Sequence, residues 1–186
     1  LWIKTLSVIT ALVFTLVLFF SYHVYCGNAI FFSRSCYLPR YRNWSLETAK
    51  LYLIKTEDKI EQTFVSRCNQ LSGVALFSKN LNSNTIPTLE LFDNFGRVIT
   101  VKYIGATEIA TGETRIDYSL ESVTPSLNKK YSITINSPSN AAWVLLYSPI
   151  DEYTDGELLI NGNPVSGDVL FQYKCEISPR NFLSTK

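Results

Sequence analysis

The sequence is nearly without histidine: its single imidazole is His23, within the first 25 residues. The rest of the chain therefore has no imidazole for a Ser–His or Cys–His catalytic pair or for a histidine metal site. A glycine-rich phosphate loop and a dinucleotide-binding fingerprint are missing as well. Two carboxylates would suffice for a glycosidase, but no motif marks such a pair. We therefore predict a protein that is not an enzyme and needs no cofactor.

Excess charge of one sign is also missing. The 17 basic and 16 acidic side chains give a net charge of +1 and are interspersed along the chain. A nucleic-acid-binding surface requires clustered basic residues, so we predict no nucleic-acid partner.

Methionine is absent, and the chain starts at Leu1. We therefore expect residues upstream of Leu1.

What the sequence does contain is a long apolar run near its start, with no charged residue from Thr5 to Tyr22. A helix rises about 1.5 Å per residue, so about 20 residues cross a bilayer core of about 30 Å. Hydroxyl side chains in the run, such as Thr15, can hydrogen-bond to carbonyl groups of their own helix. Trp2 at one end and Tyr25 at the other are typical of the membrane–water interface. We predict a single transmembrane helix over residues 1–25.

Two alternatives to a lipid anchor stay open for this run. A cleaved signal peptide has an apolar core of only about 7–15 residues followed by small residues, whereas this run is longer and ends in the bulky Phe19 and Phe20. A pilin-type helix, held in the membrane before assembly and packed in a filament core afterwards, is the second alternative. Against it, Thr5 stands where bacterial pilins carry Glu, and Lys4 would be buried without a partner.

Beyond the apolar run, the composition favours β-structure, because Tyr and Phe occur 11 times each. Alternating or continuously apolar segments recur about every 8–12 residues, a spacing typical of sandwiches and barrels. The predicted strands are 59–66, 71–77, 88–92, 97–104, 116–120, 131–135, 141–147, 157–160 and 169–177, with turns at 93–96 and 161–162. We predict an all-β fold, a two-sheet, jelly-roll-like β-sandwich behind a single N-terminal hydrophobic α-helix.

The predicted organisation has four parts: the hydrophobic helix at 1–25, a connector at 26–56, the β-sandwich domain at 57–179 and a C-terminal tail at 180–186. Within the connector, residues 45–53 combine an N-cap residue with helix formers, and they form either a short helix or a first strand. The tripeptide Asn43-Trp44-Ser45 matches the N-glycosylation pattern.

Four cysteines are present, none in a CxxC pair or a Cys/His cluster, which disfavours zinc. Cys68 starts the predicted sandwich and Cys175 lies in its last strand, and the first and last strands of jelly rolls tend to be neighbours. Of the three pairings, we favour Cys68–Cys175 with Cys26–Cys36, and free buried cysteines are the alternative. Disulfides indicate an oxidising compartment. We therefore predict an exoplasmic sandwich, although basic residues on both sides of the helix leave its orientation open.

Two kinds of ligand site are candidates. Asp151 and Asp155, together with Asp93 or Asp168, are candidate oxygen ligands for a structural calcium, although Asp in such turns more often bonds its own backbone. Exposed aromatic rings can stack on sugars, and Tyr103, Tyr147 and Tyr153 are the candidates for this role. Trp143 lies in a continuous apolar run, so we predict it in the core.

Six segments carry a resemblance to known proteins: IEQTF at 60–64, NQLSGVAL at 69–76, LELFDNFGRV at 89–98, KYSITINSP at 130–138, YTDGELLING at 153–162 and GDVLF at 167–171. Together they resemble the carbohydrate-binding-like β-sandwich modules attached to transmembrane segments in bacterial cell-envelope proteins, many of which accompany glycosyltransferase-type membrane proteins. The resemblance spans residues 59–177 and consists of turn and core residues. It implies the fold and the location, and it transfers no catalytic or binding residue.

The sequence thus predicts a non-enzymatic, single-pass cell-membrane protein whose exoplasmic sandwich is a binding or assembly module. The expected partners are membrane lipid, glycan, and envelope proteins or further copies of the chain. The alternative is a pilin-like subunit of a surface filament, with the helix packed in the filament core.

Overall fold

A computed structural model describes residues 10–17, 35–38, 49–55, 58–79, 87–99, 101–108, 112–136, 143–151 and 153–176. The chain divides into two compact units, Leu1–Cys36 and Tyr37–Lys186. Most of the described residues belong to the second unit.

The first unit contains a helix, α1, described over residues 10–17. The Thr15 hydroxyl donates a 2.8 Å hydrogen bond to the Ala11 carbonyl, as predicted for a hydroxyl inside this run. The large apolar side chains from Leu12 to Val17 are exposed. Within the described residues, no helix is both long enough and apolar enough to cross a membrane. The remaining residues of the predicted span lie outside the described part of the chain.

Fourteen strands occur in the described residues. They are β1 (Ser35–Leu38), β2 (Lys50–Ile54), β3 (Lys59–Val65), β4 (Leu71–Lys79), β5 (Thr88–Asp93), β6 (Val98–Ile99), β7 (Val101–Glu108), β8 (Glu113–Val123), β9 (Lys130–Asn136), β10 (Trp143–Ser148), β11 (Leu158–Ile160), β12 (Asn163–Val165), β13 (Asp168–Val169) and β14 (Phe171–Glu176).

The strands form two antiparallel sheets, which pack face to face as the predicted β-sandwich. One sheet, sheet B, has the strand order β12-β11-β3-β9-β5-β6. The other, sheet A, is built around β4, which pairs with β8 along one edge and with β14 and then β10 along the other. Strand β2 pairs with β10, and β7 pairs with β8.

Alternation along the strands places the apolar side chains between the sheets, because successive residues of a strand point to opposite faces. In β9, for example, Tyr131, Ile133 and Ile135 are buried. Phe64 of sheet B connects the two layers, since its ring lies 5.4 Å from the ring of Phe171 and 5.1 Å from that of Tyr173, both in sheet A. Burying a ring of this size stabilises the fold by about 1.5–3 kcal/mol.

A second apolar cluster lies on the outer face of sheet A, where Phe77, Leu146 and Leu170 are buried. Next to it, the Arg115 guanidinium lies 4.0 Å from the ring centroid of Tyr37. The Tyr37 hydroxyl donates a 3.1 Å hydrogen bond to Asp117. Both faces of sheet A therefore contain buried apolar residues, which agrees with the burial of eight of the nine residues of β4.

The structure refines the predicted strand boundaries at three places. Residues 97–104 were predicted as one strand, but β6 pairs with β5 in sheet B and β7 pairs with β8 in sheet A. Residues 169–177 likewise comprise part of β13 and β14, which pair with different partners. Within the predicted connector, β2 forms five register pairs with β10, which favours the first-strand alternative for this segment.

The disulfide between Cys68 and Cys175 is present, with the two Cα atoms 6.0 Å apart, as predicted. The predicted Cys26–Cys36 bond lies outside the described residues, because Cys26 and the side chain of Cys36 are not among them. Trp143 is buried in the core, as predicted.

Candidate functional site

Three of the candidate calcium ligands, Asp168, Asp155 and Asp151, have different surroundings, and the fourth, Asp93, bonds within its own hairpin. Asp168 is fully buried, and its carboxyl oxygens accept hydrogen bonds from the Gln62 amide at 3.1 Å and from the Tyr153 backbone N–H at 2.8 Å. Asp155 forms an ion pair with Arg67, and Asp151 is exposed. In the described part of the chain, no three acidic, histidine or cysteine side chains gather as a metal site would require. The hydrogen bonds give Asp168 a structural role in joining β3 to the segment around Tyr153.

The three candidate stacking tyrosines also differ. Tyr153 is only 6% exposed, and its hydroxyl bonds to the backbone of Val65, so its ring packs in the core. Tyr147 is half-buried and meets the ring of Tyr52 edge-on, with the centroids 6.4 Å apart, beside an apolar pocket of about 100 Å³. Tyr103 lies in β7 opposite Tyr118 in the register, and its side chain is outside the described set.

A larger groove of about 420 Å³ lies in the second unit, between the β5–β6 hairpin and the β8–β9 loop. The pairing of Asp93 with Tyr131 at the shared end of β5 and β9 brings these two segments together. The hairpin supplies Asp93, Asn94, Phe95, Arg97, Val98 and Ile99, and the loop side supplies Val123, Thr124, Pro125, Lys129 and Tyr131. Its volume lies in the range of about 300–1,000 Å³ that is common for ligand sites.

The carboxylate of Asp93 fixes the hairpin wall of the groove. Its Oδ1 accepts hydrogen bonds from the backbone N–H groups of Phe95 and Arg97, at 2.9 and 3.0 Å. Its Oδ2 accepts a 2.7 Å bond from Nε of Arg97. Gly96 follows in the left-handed region, with φ of 75°, which glycine adopts without strain. These hydrogen bonds therefore stabilise the backbone of the hairpin around Phe95.

The opposite wall is connected to the disulfide. In the β8–β9 loop, Ser126 donates its backbone N–H to the Asn69 carbonyl at 3.0 Å and its hydroxyl to the Cys68 carbonyl at 2.7 Å. The Asn128 N–H bonds to the Ser66 carbonyl at 2.8 Å. Because Cys68 is linked covalently to Cys175 in β14, the loop is attached to a cross-linked part of the sandwich.

The groove surface combines an exposed ring with cationic side chains. Phe95 is 75% exposed at the tip of the hairpin, and the Arg97 guanidinium lies 5.3 Å from its ring centroid. Lys129 faces the same groove from the other wall. Among the described residues, the Lys129 side chain has no acidic partner. The groove thus offers an apolar platform and an uncompensated positive charge.

Two ionisable groups in the groove have shifted pKa values. Desolvation would raise the pKa of Asp93, but the hydrogen bonds from Arg97 and Phe95 outweigh it and hold the pKa below its ordinary value. Burial, followed by the nearby charge of Asp93, raises the pKa of Tyr131. Around neutral pH, Asp93 is therefore ionised, while the Tyr131 hydroxyl keeps its proton and can donate a hydrogen bond.

Comparison with known proteins identifies no family for the chain. No protein-family model matches it. No curated protein matches it either. The groove presents an exposed aromatic ring at Phe95, an ion-paired hairpin and an exposed lysine at Lys129.

The sequence contains one indication of this groove, the phenylalanine in the predicted turn at residues 93–96. We predicted residues 93–96 only as a turn. Because Phe95 lies in the turn and not in a strand, no alternation would place its ring in the core, and exposure of the ring could have been expected. The contribution of Lys129 had no such signal, because it comes from a distant part of the chain.

Proposed function

We propose that this protein is a non-enzymatic, membrane-anchored cell-surface protein whose exoplasmic β-sandwich binds a glycan. The observation that carries the proposal is the ring of Phe95, 75% exposed on a hairpin that Asp93 holds in place. A large apolar side chain placed on a fixed turn beside a groove is suited to stacking on the apolar face of a sugar ring. The absence of histidine beyond residue 23 supports binding rather than catalysis.

The membrane part of the proposal rests on the apolar run from Thr5 to Tyr22. Its length matches a bilayer core, and the exposed apolar side chains of α1 need a cover of lipid or protein. The likeness of residues 59–177 to sandwich modules of bacterial cell-envelope proteins, and the disulfide typical of oxidising compartments, support the exoplasmic side.

Binding of the full chain, reconstituted in lipid nanodiscs, to an array of neutral and acidic polysaccharides tests the proposal. We expect retention on at least one polysaccharide and loss of that retention in Phe95→Ala. The matched control is Ile150→Ala, which removes an exposed apolar side chain that does not line the groove. Retention of Phe95→Ala equal to that of the wild type would contradict the assignment of the groove.

The second candidate is a pilin-like structural subunit, and the exposed apolar surface of α1 favours it as well as it favours a lipid anchor. Mechanical shearing of cells without detergent, followed by electron microscopy and mass spectrometry, separates the two candidates. Release of long filaments containing this chain supports the structural subunit. Retention in the membrane fraction until detergent is added supports the anchor.

A further inference from the structure

We propose that the groove between the β5–β6 hairpin and the β8–β9 loop selects acidic saccharides, in which a sugar ring carries a carboxylate or a sulfate group. The inference rests on the proposed function, glycan binding by the sandwich, and it adds the class of ligand. It follows from the way in which the groove combines one exposed ring and an ion-paired arginine on one wall with a lysine on the other.

The apolar half of the site is the rim around Phe95. The ring is accompanied by Val98, 64% exposed on the same hairpin, and by Pro125 on the opposite wall. A sugar ring has one face of C–H groups, which can cover the Phe95 ring while its hydroxyl groups stay in water. Because the hairpin is already fixed by Asp93, little conformational entropy is lost when the sugar binds.

The charged half of the site has a net positive charge. The ion pair between Asp93 and Arg97 is formed within the hairpin, with Nη2 of Arg97 2.6 Å from Oδ2 of Asp93. These two charges compensate each other, so Lys129 on the facing wall is the cation that an incoming anion would meet. Arg97 uses Nε and Nη2 for Asp93, and its Nη1 group has further N–H donors for a second anion.

Tyr131 adds a neutral donor between the two walls. The side chain lines the groove, and its raised pKa keeps the hydroxyl protonated beside Asp93. A phenol, a lysine and an arginine donor around one groove suit a ligand with several oxygen acceptors, at least one of which is charged. A neutral sugar would make no charge–charge interaction with Lys129.

The test measures the affinity of the full chain in nanodiscs for three hexasaccharides: oligogalacturonate, its carboxyl-reduced neutral counterpart, and an O-sulfated oligogalactose. We expect at least one acidic oligosaccharide to bind more tightly than the neutral one, with the preference shrinking as salt is raised. Phe95→Ala should lower the acidic affinity by about tenfold or more, as for an anchoring aromatic residue. Lys129→Gln should lower it by about two- to fivefold at low salt and leave neutral binding unchanged.

Two control variants distinguish a loss of affinity caused by the groove from a loss caused by any change at the protein surface. Ile150→Ala removes exposed apolar surface elsewhere, and Lys50→Gln removes an exposed lysine from the edge strand β2. Both should bind like the wild type. Because Phe95 and Lys129 are exposed, their variants should also keep the thermal unfolding midpoint of the wild type.

The outcomes distinguish this inference from the proposed function. Equal affinity for the neutral and acidic oligosaccharides, or an unchanged acidic preference in Lys129→Gln, overturns the selectivity and leaves glycan binding intact. If no saccharide in this set or on the polysaccharide array binds, both fail, and a protein ligand for the groove takes their place. Tighter binding of either acidic probe, sensitive to Phe95 and Lys129, supports the inference and identifies the anionic group.

Discussion

Removal of the Cys68–Cys175 disulfide should destabilise the sandwich by about 5 kcal/mol. The bond joins residues 107 positions apart, and in the chain-entropy account a cross-link closing a loop of this length lowers the entropy of the unfolded chain by about 16 cal/mol/K, or about 5 kcal/mol at 25 °C. Domains of this size have a total stability of about 5–15 kcal/mol. Loss of the bond therefore removes a large part of the free energy of unfolding.

The assay is urea unfolding of the full chain in detergent micelles, followed by tryptophan fluorescence. Trp143 is buried in the core and changes environment on unfolding, and replacing Trp2 and Trp44 by Phe makes it the single reporter. The wild-type pair of cysteines is compared with Cys68→Ala/Cys175→Ala, each with and without a phosphine reductant.

We expect the double variant and the reduced wild type to unfold at a similar, much lower urea concentration. Reductant should change nothing further in the double variant, which controls for effects at Cys26 and Cys36. The loop near Ser126 bonds to the Cys68 carbonyl, so the glycan affinity that we propose should fall together with stability. A loss below about 1 kcal/mol would refute the loop-closure argument.

Three further perturbations test the fold and the groove. Asp168→Ala should cost about 2–5 kcal/mol in urea unfolding, because two buried N–H donors lose their acceptor. Gly156→Ala should cost about 2–3 kcal/mol, since its methyl group would collide with the Thr63 carbonyl, whereas Gly105→Ala has open space at that position and should cost far less in the same assay. Asp93 has a lowered pKa, so its stabilisation of the hairpin is complete above the unfolded pKa of about 3.9 and is lost as the pH falls through the lower folded value. The protection factors of the hairpin amides, which are exchange rates corrected for the intrinsic pH dependence of exchange, should fall there, and protection independent of that titration would contradict this role.

Much of the fold could be predicted because alternation of buried and exposed residues recurs along the strands of the sandwich, and alternation is a local property of the sequence. Where one side of a strand is buried, as with Ile133 and Ile135 in β9, alternation appears directly in the sequence. The sheet to which a strand belongs is not a local property. The break between β6 and β7 was not predicted, because the apolar pattern continues across it in the sequence, whereas the two strands pair in different sheets.

The candidate site was less predictable for the same reason. Tyr153 looked like an exposed aromatic residue in an acidic loop, but its hydroxyl finds partners on the backbone of Val65, 88 residues away in sequence. Phe95 and Lys129 share a groove only because Asp93 pairs with Tyr131. The proximity of two such residues depends on strand register, which a single sequence does not reveal.

The strand order also bears on how the chain is made. Strand β4 needs β8, which follows about 40 residues later, and β14, which follows about 100 residues later. Strand β3 likewise pairs with β9 and β11, which are both synthesised later. Neither sheet can close around its central strand until nearly all of the sandwich has left the ribosome, so the nascent chain exposes apolar strands throughout most of its synthesis. Successful production of the protein should therefore depend on chaperones that protect the incomplete chain as well as on the stability of the finished domain.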